Sequence, residues 1–339
     1  MVDCNIVVLG ATSLAITTAL ELQTGLTNAK ITILSDTFNE ASSDVIDSGL
    51  FKPSANFSWP NLEITRKWVN DSYDHWDNIL QSDEAARAGV LELSGYIFSK
   101  MSPSMVQNPL LKNLLPLYRP ATEPELNICP GNWKYGTFCT SIIVDSDVYR
   151  TWATNKFLGA NGKIVAQKIN HLSELNNKYN VVVNCSGLEG RHLFPDSNLV
   201  PIKEQILKVN APWCKTFFFG DHDTYVIPGF NGVTLGRSLD YNSYNLTLND
   251  QDQRSIRDRC ESLVPSLRTS LVIDERVGLR AHRDTVRIEK EVITTSSNRI
   301  YVVHNYGHGE NATITAPGTA KHAVQLVKEM LSGNFTNYS

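Results

Sequence analysis

The sequence predicts an α/β protein in which a Rossmann-like nucleotide-binding domain is interleaved with a domain built on a mixed α+β sheet. Its first segment runs from an apolar strand through a glycine turn and a helix to a second strand, all within about forty residues. Buried-strand patterns recur at residues 180–184 and 299–304. Residues 205–209, 224–227 and 233–235 have the pattern of strands in a sheet with hairpin turns. Nucleotide-type strands at the start, middle and end of the chain therefore require two interleaved domains.

Length and composition agree with a globular protein of two domains. The chain has 339 residues, of which 42% are hydrophobic and 19% are charged. A net charge of -4 gives no electrostatic reason to expect nucleic acid or an acidic membrane as a partner. Six cysteines without a CxxC pair favour reduced core thiols over a metal site. The sequence does not decide between a monomer and a homodimer.

No targeting or membrane segment is evident in the sequence. No apolar run reaches the ~18 residues that a spanning helix needs, and no signal pattern follows Met1. Residues 337–339 are Asn-Tyr-Ser, which is not the Ser-Lys-Leu address of peroxisomal proteins. We therefore expect a cytoplasmic location by default, with a peroxisomal one still possible.

The elements follow from apolar spacing, taken in chain order. Residues 5–9 predict a buried strand, residues 14–22 a helix and residues 30–34 a second strand that ends before Asp36. Further along, the patterns predict a helix at 62–80, an irregular stretch at 103–130, strands at 180–184, 205–209, 224–227 and 233–235, hairpin turns at 228–229 and 231–232, a helix at 250–263, a strand at 299–304 and a closing helix at 319–331. Pro317 predicts that the closing helix begins at or after that residue.

The turn after the first strand is an incomplete dinucleotide motif. Where the pattern is GxGxxG, this chain has Gly10, Ala11, Thr12, Ser13, Leu14 and Ala15. Thr12 places a β-branched side chain where bare backbone would meet a pyrophosphate. One lost hydrogen bond to a charged phosphate costs about 1.5–3 kcal/mol, or roughly ten- to a hundredfold in affinity. From the motif alone, weakened nucleotide binding and a turn that binds nothing both remain open.

Two segments near the C-terminus carry a stronger signal. Residues 275–280 are Glu-Arg-Val-Gly-Leu-Arg, and residues 304–309 are His-Asn-Tyr-Gly-His-Gly. In these segments the chain resembles the D-amino-acid oxidase and D-aspartate oxidase family. The resemblance also covers residues 44–53, 88–98, 181–188, 201–213 and 225–236, and the segments 88–90, 184–191 and 211–213 are closer to the D-aspartate branch.

The resemblance implies an FAD enzyme with a discontinuous FAD-binding domain at residues 1–55, 140–200 and 272–339 and a substrate domain at 56–139 and 201–271. It implies oxidative deamination of a D-amino acid, with D-aspartate and D-glutamate favoured over neutral substrates. Hydride passes to the flavin, O2 reoxidises it, and the products are a 2-oxo acid, ammonia and hydrogen peroxide. The protein then supplies orientation and electrostatics, because the flavin carries the redox chemistry.

The resemblance also implies site residues. Arg280 clamps the substrate α-carboxylate with its guanidinium, and Tyr225 contacts the same group through its phenol. Glu310 can accept a hydrogen bond from the substrate amine through its backbone carbonyl. Lys52, which departs from the family pattern, is a further candidate catalytic residue. The implied FAD-binding residues are Gly10, Ala11, Thr12, Ser13, Leu14, Asp36 (at the ribose), Thr37, Ser42 and Ser43 (near the pyrophosphate), Gly49, Leu50, Ile169, Ser186, Gly187, and Gly309, Glu310, Asn311, Ala312, Thr313 and Ile314 (over the flavin pyrimidine).

The chain departs from the family at charged positions. Glu310 stands where a small residue is usual, Lys52 where an uncharged one is usual, and Lys203-Glu204 replaces Arg-Gly. We expect Lys52 and Glu310 to approach within about 8 Å and largely cancel. Lys52 has two other possible roles, which are to hold the distal carboxylate of an acidic substrate or to face solvent.

These departures leave a second functional hypothesis open. A diverged, catalytically impaired member would keep the fold and act as a binding or regulatory protein. An NAD-linked dehydrogenase is disfavoured, because the C-terminal segments have no role in it. The oxidase assignment requires Arg280 to face the flavin and a cleft rather than a structural acid.

Overall fold

The computed structural model describes residues 4–36, 46, 49–55, 61–294 and 299–334. Thr37, Ser42 and Ser43, three of the expected FAD-binding residues, lie outside these ranges. The strands are β1 (Cys4–Leu9), β2 (Ala29–Ser35), β3 (Val90–Ser99), β4 (Leu117–Pro120), β5 (Tyr135–Val144), β6 (Lys163–Ala166), β7 (Val181–Asn184), β8 (Val200–Asn210), β9 (Phe217–Gly220), β10 (Thr224–Gly229), β11 (Gly232–Tyr241), β12 (Leu271–Thr294) and β13 (Arg299–His308). The α-helices are α1 (Ser13–Gly25), α2 (Leu62–Leu80), α3 (Ser146–Gly159), α4 (Asp250–Leu263) and α5 (Ala312–Leu331). The predicted α/β class is confirmed.

All these strands join one sheet in the order β4-β5-β3-β9-β10-β11-β8-β12-β13-β7-β1-β2-β6. At one end, β13, β7, β1, β2 and β6 are parallel to one another, as in a nucleotide-binding half. At the other end, most neighbouring strands are antiparallel. The sheet is therefore mixed, with a parallel half and a largely antiparallel half.

The long strand β12 joins the two halves. Its first part pairs with β8 of the antiparallel half, and its second part pairs with β13 of the parallel half. The sequence pattern predicted no strand for this segment. Two of the expected domain boundaries, 139/140 and 271/272, fall inside β5 and at the start of β12. The domain ranges stay a prediction.

The closing helix begins earlier than expected. α5 starts at Ala312, so Pro317 lies inside it, and the prediction of a start at or after Pro317 is wrong. A proline within a helix breaks the hydrogen-bond ladder, but α2 supplies replacements. The Gly318 N–H donates to Oγ of Ser72 at 2.8 Å, and the Ile314 carbonyl accepts from Trp76 Nε1 at 2.8 Å. Packing against α2 therefore carries the helix through its proline.

Close packing of α2 and α5 requires a glycine. A Cβ built at Gly318 would lie 2.0 Å from the carbonyl oxygen of Trp68, so no larger residue fits there without moving a backbone. The contact therefore holds this part of α5 close to α2. No α-helix in the described part of the chain combines the length and the apolar character needed to cross a bilayer.

Strands β10 and β11 form one hairpin rather than two turns. Gly229 pairs with Gly232, so the two-residue turn is Phe230-Asn231. The predicted turn at 228–229 directly precedes it, and the predicted turn at 231–232 overlaps it at Asn231. Further along β11 the pairing with β8 shifts between Gly236 and Ser238. Arg237 is therefore the extra residue of a β-bulge, a feature that turns a side chain away from the regular alternation.

Candidate active site

One cavity lies at the carboxyl ends of β1, β7 and β13, and we call it the nucleotide cavity. It has a volume of about 120 Å³ and is lined by Gly10, Ala11, Thr12, Leu14, residues 185–189, Leu246, Leu279, Ala281, residues 306–309 and Ala312. Parallel strands of an open α/β sheet present their ligand sites at this edge. The expected turn and the expected glycines Gly187 and Gly309 thus meet at one cavity.

Gly10 explains why one glycine of the motif is retained. Its φ is +112°, and a Cβ there would lie 2.9 Å from the carbonyl oxygen of Cys185. Both the conformation and the space exclude a larger residue. The turn after β1 is therefore pressed against the end of β7, as a dinucleotide turn requires.

Thr12 does not stand free over the turn. It is the N-cap residue of α1, and its Oγ1 accepts a hydrogen bond of 3.4 Å from the N–H of Ala15. The side chain is thus directed back to its own helix, while the first turn still presents N–H groups that have no intrahelical acceptor. Thr12 still lines the nucleotide cavity, so the expected effect of its side chain on nucleotide binding stays a prediction.

The other expected cofactor residues are spread around this half of the sheet. Asp36 follows β2 and is exposed, with Nζ of Lys168 at 3.9 Å. Ile169 is buried, and its carbonyl lies 2.9 Å from Nε2 of His192. The Ser186 hydroxyl is bonded to the Asn184 side chain. Ser13 is buried, and Gly49 and Leu50 are tied to β5.

The N-terminus of α5 lies where the cavities meet. Ala312 lines the nucleotide cavity, and Ile314 lines a second cavity that is described below. Asn311 lines this second cavity and also a third cavity, which adjoins both. The N-cap residue Asn311 makes no side-chain capping bond to the helix, and its Oδ1 accepts from the Ser54 N–H instead. Thr313 is buried in the first turn. The partial positive charge of this helix end suits an electron-rich group.

The second cavity, called here the charged cavity, has a volume of about 230 Å³. Its lining includes Tyr225, the three cations Lys52, Arg237 and Arg280, and the four acids Glu204, Asp221, Asp223 and Glu310. A third cavity of about 150 Å³ shares Glu204, Arg237, Arg280 and Glu310 with it and shares residues 307–308 with the nucleotide cavity. The three cavities therefore have common walls and run from the β1 turn to the cations.

Arg280 lines the charged cavity but is also paired with an acid. It is buried, and its Nε donates to Oε2 of Glu204 at 2.9 Å. Its Nη2 donates to the carbonyl of Ile46 at 2.8 Å. The pairing of β12 with β8 sets Glu204 opposite Gly278, so Glu204 and Arg280 share a face of the sheet. Arg280 thus faces a cleft, as the oxidase assignment requires. It is also held by an acid, Glu204, which that assignment does not allow.

Tyr225 completes a small cluster around Glu204. Its hydroxyl donates a long hydrogen bond of 3.4 Å to Oε1 of Glu204. Burial, and secondarily the Glu204 carboxylate, raises the pKa of Tyr225 well above its ordinary value. A Cβ at Gly236 would lie 1.8 Å from the phenol ring, so the glycine is what lets the ring lie across β11.

Arg237 is the functional candidate that the sequence analysis missed. Its Nη1 donates to the Glu310 carboxylate, and its Nη2 lies 3.2 Å from Oδ1 of Asp223. Oε2 of Glu204 is 3.9 Å away. Burial opposes the charge, yet the carboxylates of Glu204 and Glu310 outweigh it and raise the pKa of Arg237. The resemblance over 225–236 stopped one residue short, and only the bulge reveals where this side chain points.

Lys52 lies inside the charged cavity rather than facing solvent. Its ammonium is 4.6 Å from the centroid of the Phe219 ring. Burial lowers the pKa of Lys52, and the Glu310 carboxylate acts against that shift. Burial raises the pKa of Glu310, but Arg237 outweighs it, so the net shift is downward. Glu310 is thus neutralised mainly by Arg237, and Lys52 adds a smaller attraction. The expected approach of Lys52 and Glu310 within about 8 Å stays a prediction.

Comparison with known proteins agrees with this arrangement. The family model described as FAD dependent oxidoreductase matches residues 5–326. The D-aspartate oxidase of Homo sapiens is 32% identical over 330 residues, covering 97% of this chain and 96% of that protein. The D-amino acid oxidase of Dugesia ryukyuensis is 29% identical, with 96% and 98% covered.

Solved structures share the fold. The glycine oxidase from Geobacillus kaustophilus superimposes with a TM-score of 0.77 at 13% identity, covering 98% of this chain and 96% of that one. At this identity the likeness concerns the fold alone. Together with the family match over nearly the whole sequence, it leaves one assignment: the chain belongs to the FAD dependent oxidoreductase family.

Proposed function

We propose that this protein is an FAD-dependent oxidase of D-amino acids that favours acidic side chains, D-aspartate and D-glutamate above neutral substrates. Its products are a 2-oxo acid, ammonia and hydrogen peroxide. The observation that carries the proposal is the charged cavity, in which Lys52, Arg237 and Arg280 line one small space beside the N-terminus of α5. The name of the Homo sapiens relative, D-aspartate oxidase, supports the acidic preference, and that of the Dugesia ryukyuensis relative, D-amino acid oxidase, supports D-amino acids as the wider class.

FAD is the cofactor of this family, and the residues present fit it. The nucleotide cavity is lined by glycines and by the first turn of α1, and Gly10 leaves no room there for a side chain. We propose that residues 10–14 and 186–187 hold the pyrophosphate region and that the start of α5 lies beside the flavin ring. When bound, FAD supplies the hydride acceptor that the protein itself lacks.

The cations of the charged cavity differ in how tightly their acidic partners are bound. Glu310 and Asp223, the partners of Arg237, have side chains that are 40% and 50% exposed. Such acids lose little on turning to water, so a ligand carboxylate can replace them at Arg237. We therefore propose that Arg237, with Lys52 nearby, receives the distal carboxylate of an acidic substrate.

The α-carboxylate is assigned to Arg280 and Tyr225, which line the same cavity. A guanidinium carries five N–H donors in a planar fork and stays charged at every working pH. The backbone carbonyl of Glu310 remains the proposed acceptor for the substrate amine. Two fixed contacts to carboxylates and one to nitrogen leave a single orientation of the Cα–H bond, which is what stereospecific oxidation needs.

One observation favours the second hypothesis, a catalytically impaired member that binds without oxidising. The carboxylate of Glu204 already meets Arg280, the residue assigned to the substrate α-carboxylate. A permanently occupied clamp predicts weak substrate binding and slow turnover. Both readings share the fold and the cofactor, so only activity separates them.

The test is a peroxide assay on purified protein with D-Asp, D-Glu, D-Ala and D-Met, after its visible flavin absorption has been recorded. We expect yellow protein and a higher kcat/KM for D-Asp and D-Glu than for D-Ala and D-Met. L-Asp is the matched control for stereochemistry. Yellow protein that forms no peroxide with any of these substrates would leave the impaired binding protein, and a higher kcat/KM for D-Ala would refute the acidic preference.

A further inference from the structure

A carboxylate that belongs to the protein occupies the centre of the charged cavity. Glu204 receives Nε of Arg280 at 2.9 Å and the Tyr225 hydroxyl at 3.4 Å, and Nη1 of Arg237 lies 3.9 Å from it. These are the groups assigned above to the carboxylates of the substrate. The cations and the phenol thus converge on a side chain before any ligand enters.

Glu204 cannot leave this position easily. Its side chain is 1% exposed, and its residue lies in the middle of β8, paired with Leu239 of β11 on one side and Gly278 of β12 on the other. Moving the carboxylate would leave the buried guanidinium of Arg280 without its partner, which is costly. The half-exposed acids Glu310 and Asp223 have no such constraint.

We infer that Glu204 is a built-in competitor at the α-carboxylate position, and that it sets the affinity and specificity of the site. This inference rests on the proposed function for the position of the substrate. Glu204 already offsets the charge of the Arg280 guanidinium. An incoming carboxylate is therefore attracted less strongly to Arg280, and the Glu204 carboxylate close by repels it. A carboxylate therefore binds weakly at Arg280, whereas a second carboxylate on the same ligand gains a contact at Arg237.

The test measures binding rather than turnover. Propanoate, which carries one carboxylate and no amine, is titrated into the flavin-loaded protein and followed by calorimetry and by the visible flavin spectrum. For E204Q we expect propanoate to bind about tenfold tighter or more, because one hydrogen-bonded charge interaction is freed. Propanamide, the neutral analogue, should bind wild type and E204Q equally. E204G is the second variant in case E204Q does not fold.

A matched control separates position from overall charge. D221N removes one negative charge from the same cavity, but from an acid that is bonded to Ser99 and the Lys100 N–H rather than to an arginine, so its effect on propanoate should be less than threefold. Equal propanoate affinity in wild type and E204Q, or an equal gain in D221N, would overturn the inference. So would a wild-type site that already binds propanoate with a Kd below about 10 µM, since an offset guanidinium does not provide that affinity.

The outcome is independent of oxidation. If the protein forms no peroxide with any D-amino acid but E204Q gains propanoate affinity, the proposed function is refuted and the role of Glu204 as a competitor is supported. Protein that oxidises D-Asp, but whose E204Q variant binds propanoate as wild type does, would keep the function and lose the competitor. In the case where both hold, E204Q also lowers the KM for D-Ala by a larger factor than the KM for D-Asp.

Discussion

Nε1 of Trp76 donates a hydrogen bond of 2.8 Å to the carbonyl oxygen of Ile314, three residues before the proline inside α5. Trp76 is completely buried. The bond satisfies a carbonyl next to the break in the helix ladder and fixes the first turn of α5 against α2. Since Ile314 and Asn311 line the charged cavity, the contact also sets the position of one cavity wall.

The first prediction concerns this bond. W76F should lower the free energy of unfolding by about 1–3 kcal/mol through the unsatisfied carbonyl alone, with a further loss from the space left by the smaller ring. Urea unfolding followed by far-UV circular dichroism measures the change. The control is W213F, because Trp213 is 49% exposed and its bond to Ser266 lies at the surface, and it should change the free energy by less than about 0.5 kcal/mol. Equal effects would show that the α2–α5 bond has no special weight.

Local signals predicted the helices well. The expected ranges 62–80 and 250–263 are those of α2 and α4, and in each case an asparagine side chain caps the first turn. Caps and apolar spacing are contained within a few neighbouring residues, so the sequence displays them directly. Pro317 was misjudged because its compensation comes from Ser72 and Trp76, far away in the sequence.

The charged cavity shows where sequence reasoning ends. Arg280 was found because its segment resembles a family motif, but its pairing with Glu204 depends on the register between β8 and β12. Arg237 reaches the cavity because it lies in a β-bulge of β11, and no local sequence pattern predicts that bulge. The Lys52–Glu310 pair was expected only because the two side chains have opposite charges. Nothing local in the sequence indicated that Arg237 pairs with Glu310. Long-range register, rather than residue type, decides which charges meet.

The second prediction concerns Thr12. If its side chain obstructs the pyrophosphate, T12G should bind FAD roughly ten- to a hundredfold more tightly. Because Oγ1 instead caps α1, we expect the Kd for FAD to change less than threefold, and T12A to lower the free energy of unfolding by about 1 kcal/mol. Quenching of flavin fluorescence gives the Kd, and T24A, an exposed change in the same helix, is the control for stability. If T12G binds FAD at least about tenfold more tightly than wild type, the Thr12 side chain does obstruct the pyrophosphate.

The third prediction concerns substrate selection by Arg237. R237Q should raise the KM for D-Asp by about 10- to 100-fold, because one or more hydrogen bonds to a charged group are lost. The KM for D-Ala, which has no distal carboxylate, should change less than threefold. Steady-state peroxide assays with both substrates measure the split. R257Q, which removes a guanidinium from α4 outside the charged cavity, should leave both values unchanged. A KM for D-Ala that rises as much as that for D-Asp would assign Arg237 to the shared part of the substrates.

The fourth prediction concerns acid stability and His308, the last residue of β13. Burial lowers the pKa of His308 to about 3, from an ordinary value near 6.5. Between these two pH values the unfolded chain binds a proton that the folded protein does not bind. Stability from this group is therefore complete above pH 6.5 and falls as the pH drops, by at most about 1.4 kcal/mol per pH unit.

H308Q should reduce that slope by about one proton while lowering stability at pH 7, because the contact of Nε2 with Oγ1 of Thr319 at 3.1 Å is changed. Urea unfolding of the FAD-saturated protein at pH 7.0, 6.0 and 5.0 gives the slope for each variant. H171Q, a change at an exposed histidine, controls for the loss of an imidazole. If wild type and H308Q lose stability in parallel from pH 6.0 to 5.0, then His308 is protonated in the folded protein and the acid sensitivity arises elsewhere.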